Sequence, residues 1–188
     1  MPSNKIWTLP NLITLFRVLL TPGFVIAYLD QNFFVALILF IIAGFSDALD
    51  GFLARVLDQR SEFGSMIDPL ADKILLITSF LCLSAQGYIS NWLTVLVISR
   101  DMIIVGGLSL LKFYGANVEK KISPLWSSKF TTALQLLVVF MVLCRLAFGV
   151  NLYFIQAKAE FLTAFFTLIS GAIYLRKGMA MFNEIEAK

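Results

Sequence analysis

Six stretches of this chain, at roughly 11–29, 33–55, 65–86, 91–112, 129–149 and 159–176, stay mainly apolar over about the 20 residues that a helix needs to cross a bilayer. Of the 188 residues, 59% are hydrophobic and 14% charged, and mean hydropathy is +0.85, which places the chain among polytopic membrane proteins. Inside lipid every backbone polar group must be satisfied within the protein, and runs of this length meet that demand as helices. The expectation is an all-α six-helix transmembrane bundle forming a single domain over residues 1–188. Trp7 has the amphipathic ring favoured at headgroup depth, so Met1 to Leu9 is expected to lie as a short interfacial segment before the chain turns inward at Pro10. Pro22 and Gly23 are expected to interrupt or kink the first helix.

Six spans place both termini on one side. The loops and tails of that side hold ten basic residues, among them Lys5, Arg60, Lys120, Lys121 and Lys177, whereas the opposite loops hold only Arg145 and Lys158. By the positive-inside rule the termini are cytoplasmic. The formal charge of +3 is dispersed, with no basic stripe interleaved with aromatics, so nucleic acid is not an expected partner. Cys82 and Cys144 stand singly in apolar sequence and read as small core residues rather than a disulfide or metal pair. The first ten residues lack a basic n-region and a cleavage site, so the first apolar run reads as a retained helix, and the expected location is a bacterial cytoplasmic membrane.

Against this background four carboxylates are conspicuous. Asp47 and Asp50 are three apart near the cytoplasmic end of the second span, and Asp68 and Asp72 are four apart in the opening turns of the third. Both spacings put side chains on one helical face. The connection from Val56 to Phe63 is short, so the two spans are antiparallel neighbours with their acids at similar depth. Four like charges would repel unless neutralised, and hard divalent cations such as Mg²⁺ or Mn²⁺ take oxygen ligands and are shared with substrate phosphates. Gly51 and Gly64 flank the cluster, allowing close approach of a ligand or of another helix. Arg55, at the cytoplasmic mouth, has the fork to hold a phosphate, or serves as a topology anchor. Arg17 and Arg100 lie within spans, and Arg100 has Asp101 beside it, an arrangement that serves a structural ion pair as well as it serves catalysis. An ion channel or transporter would distribute its acids through the bilayer, and here all four lie toward one face.

The pattern Asp-x2-Asp-Gly-x2-Ala-Arg-x8-Gly-x3-Asp-x3-Asp is met at every fixed position from Asp47 to Asp72 and resembles the signature of the CDP-alcohol phosphatidyltransferases. The similarity extends through Leu9-Pro10-Asn11-Leu12-Ile13-Thr14, Ile98-Ser99-Arg100-Asp101 and Lys129-Phe130-Thr131-Thr132-Ala133-Leu134-Gln135. The resemblance implies a six-helix bundle, often dimeric, with a cavity open to the cytoplasmic leaflet. It also implies that Asp47, Asp50 and Asp68 ligate metal, with Asp72 completing a two-metal site and acting as general base. Gly51, Arg55 and Ser61 match positions that hold the CDP-linked donor. Asn11 and Thr14 match those where the first helix meets the nucleotide, and Arg100 and Lys129 would meet the acceptor.

The implied reaction is transfer of the phosphatidyl group from CDP-diacylglycerol to an alcohol, with release of CMP. The branch resembled is that of the phosphatidylglycerophosphate synthases and single-motif cardiolipin synthases. The first take glycerol 3-phosphate and commonly carry Gly-Lys-x-Lys-Thr before the fifth span, where this chain reads Ser128-Lys129-Phe130-Thr131-Thr132. Arg100-Asp101 likewise stands where those synthases often have Arg-Glu. Both departures resemble cardiolipin synthases, whose acceptor is phosphatidylglycerol. Lys120, Lys121 and Lys129 can still serve a soluble phosphate, and the sequence reading places glycerol 3-phosphate first by a narrow margin.

Overall fold

A computed structural model describes the backbone of residues 9–56, 62–113 and 126–186, and the side chains of 15–46, 73–107 and 127–181. Every expected span is a helix: α1 Leu9–Leu29, α2 Phe33–Val56, α3 Glu62–Ala85, α4 Asn91–Phe113, α5 Trp126–Phe148 and α6 Tyr153–Glu186. Among the described residues, Ser127–Phe148 and Tyr153–Met181 are long and apolar enough to cross a membrane, and shorter apolar runs occupy Leu15–Leu29, Phe33–Ser46 and Lys73–Ala85. The expected interfacial segment, with Trp7, lies outside the described residues.

The helix ends and the Pro22 site add detail to these expectations. Pro22 lies inside α1, which runs through it to Leu29 as the expected span does. Its side chain is exposed, and beside it the Thr21 hydroxyl donates to the Arg17 carbonyl at 3.2 Å. In the same stretch a Cβ at Gly23 would stand 3.7 Å from Leu39 Cδ1 on α2, an ordinary contact. The last helix has 34 residues, well beyond the expected 159–176. Hydropathy marks lipid depth, whereas good helix formers such as Arg176, Lys177, Met179, Ala180 and Met181 continue the helix past it.

The described contacts fall into two compact units. The first comprises Met1–Gln86 with Val139–Asn151, and the second Gly87–Val138 with Leu152–Lys188, so α5 contributes to both. In the first unit α1 packs on α2 and α3, and α2 touches α3. The α1–α2 link is a Schellman turn: Gln31 N–H donates to Tyr28 O at 3.1 Å and Asn32 N–H to Ala27 O at 2.9 Å. Gln31 takes the left-handed position with φ 58°, where glycine is the usual occupant. Asn32 then caps α2, its Oδ1 accepting from Val35 N–H at 3.4 Å. Phe24, Tyr28, Ala36, Phe40, Ala43, Leu76 and Phe80 form the core, with the Phe24 ring 6.2 Å from Tyr28 and 6.3 Å from Phe40. Large apolar residues such as Leu19, Ile26 and Phe45 point outward, as a lipid-facing surface requires.

In the second unit α4 packs on α6. Two hydrogen-bonded contacts, Ser90 with Glu160 and Arg100 with Ser170, share one offset of 70 residues, so the helices run parallel in constant register. The contact face of α6 is a buried polar stripe, Gln156, Glu160, Thr163, Thr167 and Ser170, spaced four, three, four and three apart. Ser90 opens α4 as its N-cap, with Leu93 N–H and Thr94 N–H both reaching its carbonyl.

Candidate active site

Of the carboxylate quartet, Asp47 and Asp50 sit on α2 and Asp68 and Asp72 on α3, two helices of the first unit that touch one another. Their side chains lie outside the described residues; the backbone fixes their register. An α-helix rises about 1.5 Å per residue, so each acidic pair spans about 4.5–6 Å along one face of its helix. Gly51 and Arg55 follow on the last turns of α2, and Asn11 and Thr14 stand in the first turns of α1, which contacts both acidic helices. Ser61, Lys120 and Lys121 lie outside the described residues. Among the described residues no three metal-ligating side chains cluster, and the four aspartates are not in that set. A quartet of hard carboxylate oxygens carried by two touching helices is a donor set suited to Mg²⁺ or Mn²⁺.

The second unit holds the other candidates. Arg100, on α4, is 4% exposed and Asp101 2%. The guanidinium donates through Nη1 to Asp101 Oδ1 at 2.7 Å, and through Nη2 to Ser128 Oγ at 2.7 Å and Ser170 Oγ at 2.6 Å. Arg100 and Asp101 therefore make the ion pair that their sequence neighbourhood allowed, and the pair ties α4 to the first turn of α5 and to α6. The Arg100 stem runs past Gly171, whose missing side chain leaves Cγ in ordinary contact with where a Cβ would stand, at 3.6 Å. Lys129 follows Ser128 directly and is exposed.

Thr131, at the position of the second lysine in the Gly-Lys-x-Lys-Thr pattern, is fully buried. Its hydroxyl is shared between the carbonyls of Ser127 at 2.7 Å and Phe166 at 3.2 Å. The side chain thus faces α6, and the Phe130 and Phe166 rings close the contact edge to face at 4.8 Å.

Sequence reasoning did not single out Ser128, Ser170, Ser90, Gln156 or Glu160. Glu160 Oε2 accepts from Ser90 Oγ at 2.7 Å and from Ser90 N–H at 3.4 Å, and Oε1 accepts from Gln156 Nε2 at 2.6 Å, which also donates to Tyr88 O at 2.8 Å. The heptad-like spacing of polar residues along α6 is the signal that would have found Gln156, Glu160 and Ser170.

The profile of the CDP-alcohol phosphatidyltransferase family matches residues 7–172. Cardiolipin synthase (CMP-forming) of Rattus norvegicus is 33% identical over 97% of this chain and 65% of its own length, and the Homo sapiens protein of that name 33% over 92% and 62%. This chain thus spans less than two thirds of those relatives. A CDP-diacylglycerol–glycerol-3-phosphate 3-phosphatidyltransferase of Haemophilus influenzae is 35% identical over 74% of this chain and 77% of its own length. With the signature complete, its aspartates on two touching helices and the match running over most of the sequence, this chain belongs to the CDP-alcohol phosphatidyltransferase family.

Proposed function

We propose that this protein is an integral membrane enzyme of phospholipid synthesis that transfers the phosphatidyl group of CDP-diacylglycerol to phosphatidylglycerol, giving cardiolipin and CMP. The quartet Asp47, Asp50, Asp68 and Asp72 on the touching helices α2 and α3 supports the transfer chemistry. These four residues would hold one or two divalent ions, which when bound neutralise the charge of the donor pyrophosphate and of the departing CMP. Asp72 takes the proton of the attacking hydroxyl as its oxygen bonds to the β-phosphorus and the bond to the CMP oxygen breaks. Gly51, Arg55, Ser61, Asn11 and Thr14 orient the donor. Six spans with cytoplasmic termini keep the acyl chains in lipid while the headgroups meet at the cytoplasmic end of the helices.

The observation that carries the choice of acceptor is the burial of Thr131 against α6. A phosphomonoester such as glycerol 3-phosphate carries close to two negative charges near neutral pH, its second pKa being about 6, whereas the phosphodiester of phosphatidylglycerol carries about one. With Thr131 turned inward and Arg100 neutralised by Asp101, the start of α5 offers Lys129 alone as a free cation among the described residues, which matches a monoanion. Alignment with cardiolipin synthases over 92–97% of this chain supports this reading. Glycerol 3-phosphate, first on the sequence reading, becomes the second choice, favoured by relatives at 35–36% identity over three quarters of the chain. Purified protein with CDP-diacylglycerol, offered phosphatidylglycerol and glycerol 3-phosphate in parallel, should yield cardiolipin as its main lipid product by mass. Phosphatidylglycerophosphate as the main product would transfer the assignment to glycerol 3-phosphate.

A further inference from the structure

Lys129 is a flexible side chain on the first turn of α5, and a lone exposed cation selects an acceptor only if its backbone is held in place. The structure contains a device for that. Ser128, its direct neighbour, is gripped by Arg100 Nη2 at 2.7 Å, and the same nitrogen reaches Ser170 on α6 at 2.6 Å while Nη1 is drawn to Asp101 at 2.7 Å. Arginine suits this task because its planar fork presents several donors in fixed directions, and burial strengthens each contact. The Thr131 and Thr132 hydroxyls turn back to the carbonyls of Ser127 and Ser128, at 2.7 and 3.1 Å, so the turn that carries Lys129 is braced from inside as well.

We propose that Ser170 and Asp101 aim the Arg100 guanidinium at Ser128, and that this cross-link makes Arg100, Ser128 and Ser170 positioning residues for acceptor recognition by Lys129. The inference rests on the reading of Lys129 as the acceptor contact. It assigns to Ser170, some forty residues away in sequence, a part in acceptor affinity that none in donor binding accompanies.

The test is a steady-state cycle on the full-length protein in lipid-containing detergent, with CDP-diacylglycerol saturating and phosphatidylglycerol varied. Ser170→Ala and Ser128→Ala should each raise the acceptor KM by about tenfold, the scale of losing one hydrogen bond to a charged group, with kcat and the donor KM changed less than about twofold. Ser170→Thr, which keeps the hydroxyl, should restore most of the loss. In a Lys129→Ala background Ser170→Ala should raise the acceptor KM no further, because a residue that acts through Lys129 has nothing left to position. Full additivity of the two substitutions, or equal effects on donor and acceptor KM alongside a lowered melting temperature, would overturn the proposal. Should Ser170→Ala fail to fold, the half-buried Ser128→Ala carries the same comparison. Lys129→Ala without effect on acceptor KM would take down the acceptor reading and this inference together. Lys129→Ala with a raised KM, beside unaffected Ser128→Ala and Ser170→Ala, would overturn the inference alone.

Discussion

Replacing Glu160 by Leu removes a buried acceptor that ties the start of α6 to the start of α4. Two of its contacts are short, from Ser90 Oγ at 2.7 Å and Gln156 Nε2 at 2.6 Å, and the third, from Ser90 N–H at 3.4 Å, is too long to count for much. Hydrogen bonds to a charged group contribute about 1.5–3 kcal/mol each, so the two short ones are worth about 3–6 kcal/mol. Removing the carboxylate also recovers part of its desolvation cost, and Gln156 keeps Tyr88 O as a partner, which lowers the net loss to about 2–4 kcal/mol. For a chain of this size each kcal/mol moves the melting temperature by about 2–4 °C, so Glu160→Leu should melt about 5–12 °C lower. The assay is the fraction of detergent-solubilised protein remaining monodisperse after heating, at one fixed scan rate because unfolding of such proteins is often irreversible. Glu160→Gln, which keeps the shape and one acceptor oxygen, should lose about half as much. Lys158→Ala, on the same helix but exposed with its ammonium 4.3 Å from the Phe154 ring, serves as a control and should shift melting by only a few degrees at most. A Glu160→Leu protein that melts at or above the wild-type temperature would refute the reasoning, since desolvation would then outweigh the bonds.

Turnover should need Mg²⁺ or Mn²⁺ and stop on chelation; full activity in excess chelator after metal-free purification would remove the metal role from the aspartate quartet. Asp72→Asn should lower kcat by about 10²–10⁴ while CDP-diacylglycerol still binds, and retention of more than about a tenth of the wild-type rate would end the general-base assignment. Cysteines introduced at Gln59 and Lys120 should react with an impermeant maleimide from the cytoplasmic side and one at Gln86 from the other, the reverse pattern overturning the topology.

Much of this was legible in the amino-acid sequence because lipid imposes long, uninterrupted apolar runs. Each expected span lies within or almost within an observed helix, with end points within a few residues for α1 to α5. The aspartate quartet was legible for a different reason: ionised groups in oily sequence are costly, and their three- and four-residue spacing encodes a shared face. The far end of α6 was not, because hydropathy falls where lipid ends while helix propensity does not. The Arg100 node was half legible. Asp101 announced itself as a neighbour, but Ser128 and Ser170 are small residues of mild hydropathy whose meeting is decided by how α4, α5 and α6 pack. The polar stripe of α6 was encoded in plain spacing and hidden by composition, since hydroxyls at Thr163 and Thr167 scarcely lower the hydropathy of Phe- and Leu-rich surroundings.

The two hydrogen-bonded contacts between α4 and α6 act as rivets. They lie ten residues apart on both helices, about 15 Å at helical rise, with the same offset at each. Between them the hydroxyls of Thr163 and Thr167 are spent on their own helix, leaving a smooth contact that needs no partner. A bar fastened at two points resists sliding and twisting together, so the α4–α6 pair should move as one stiff strut.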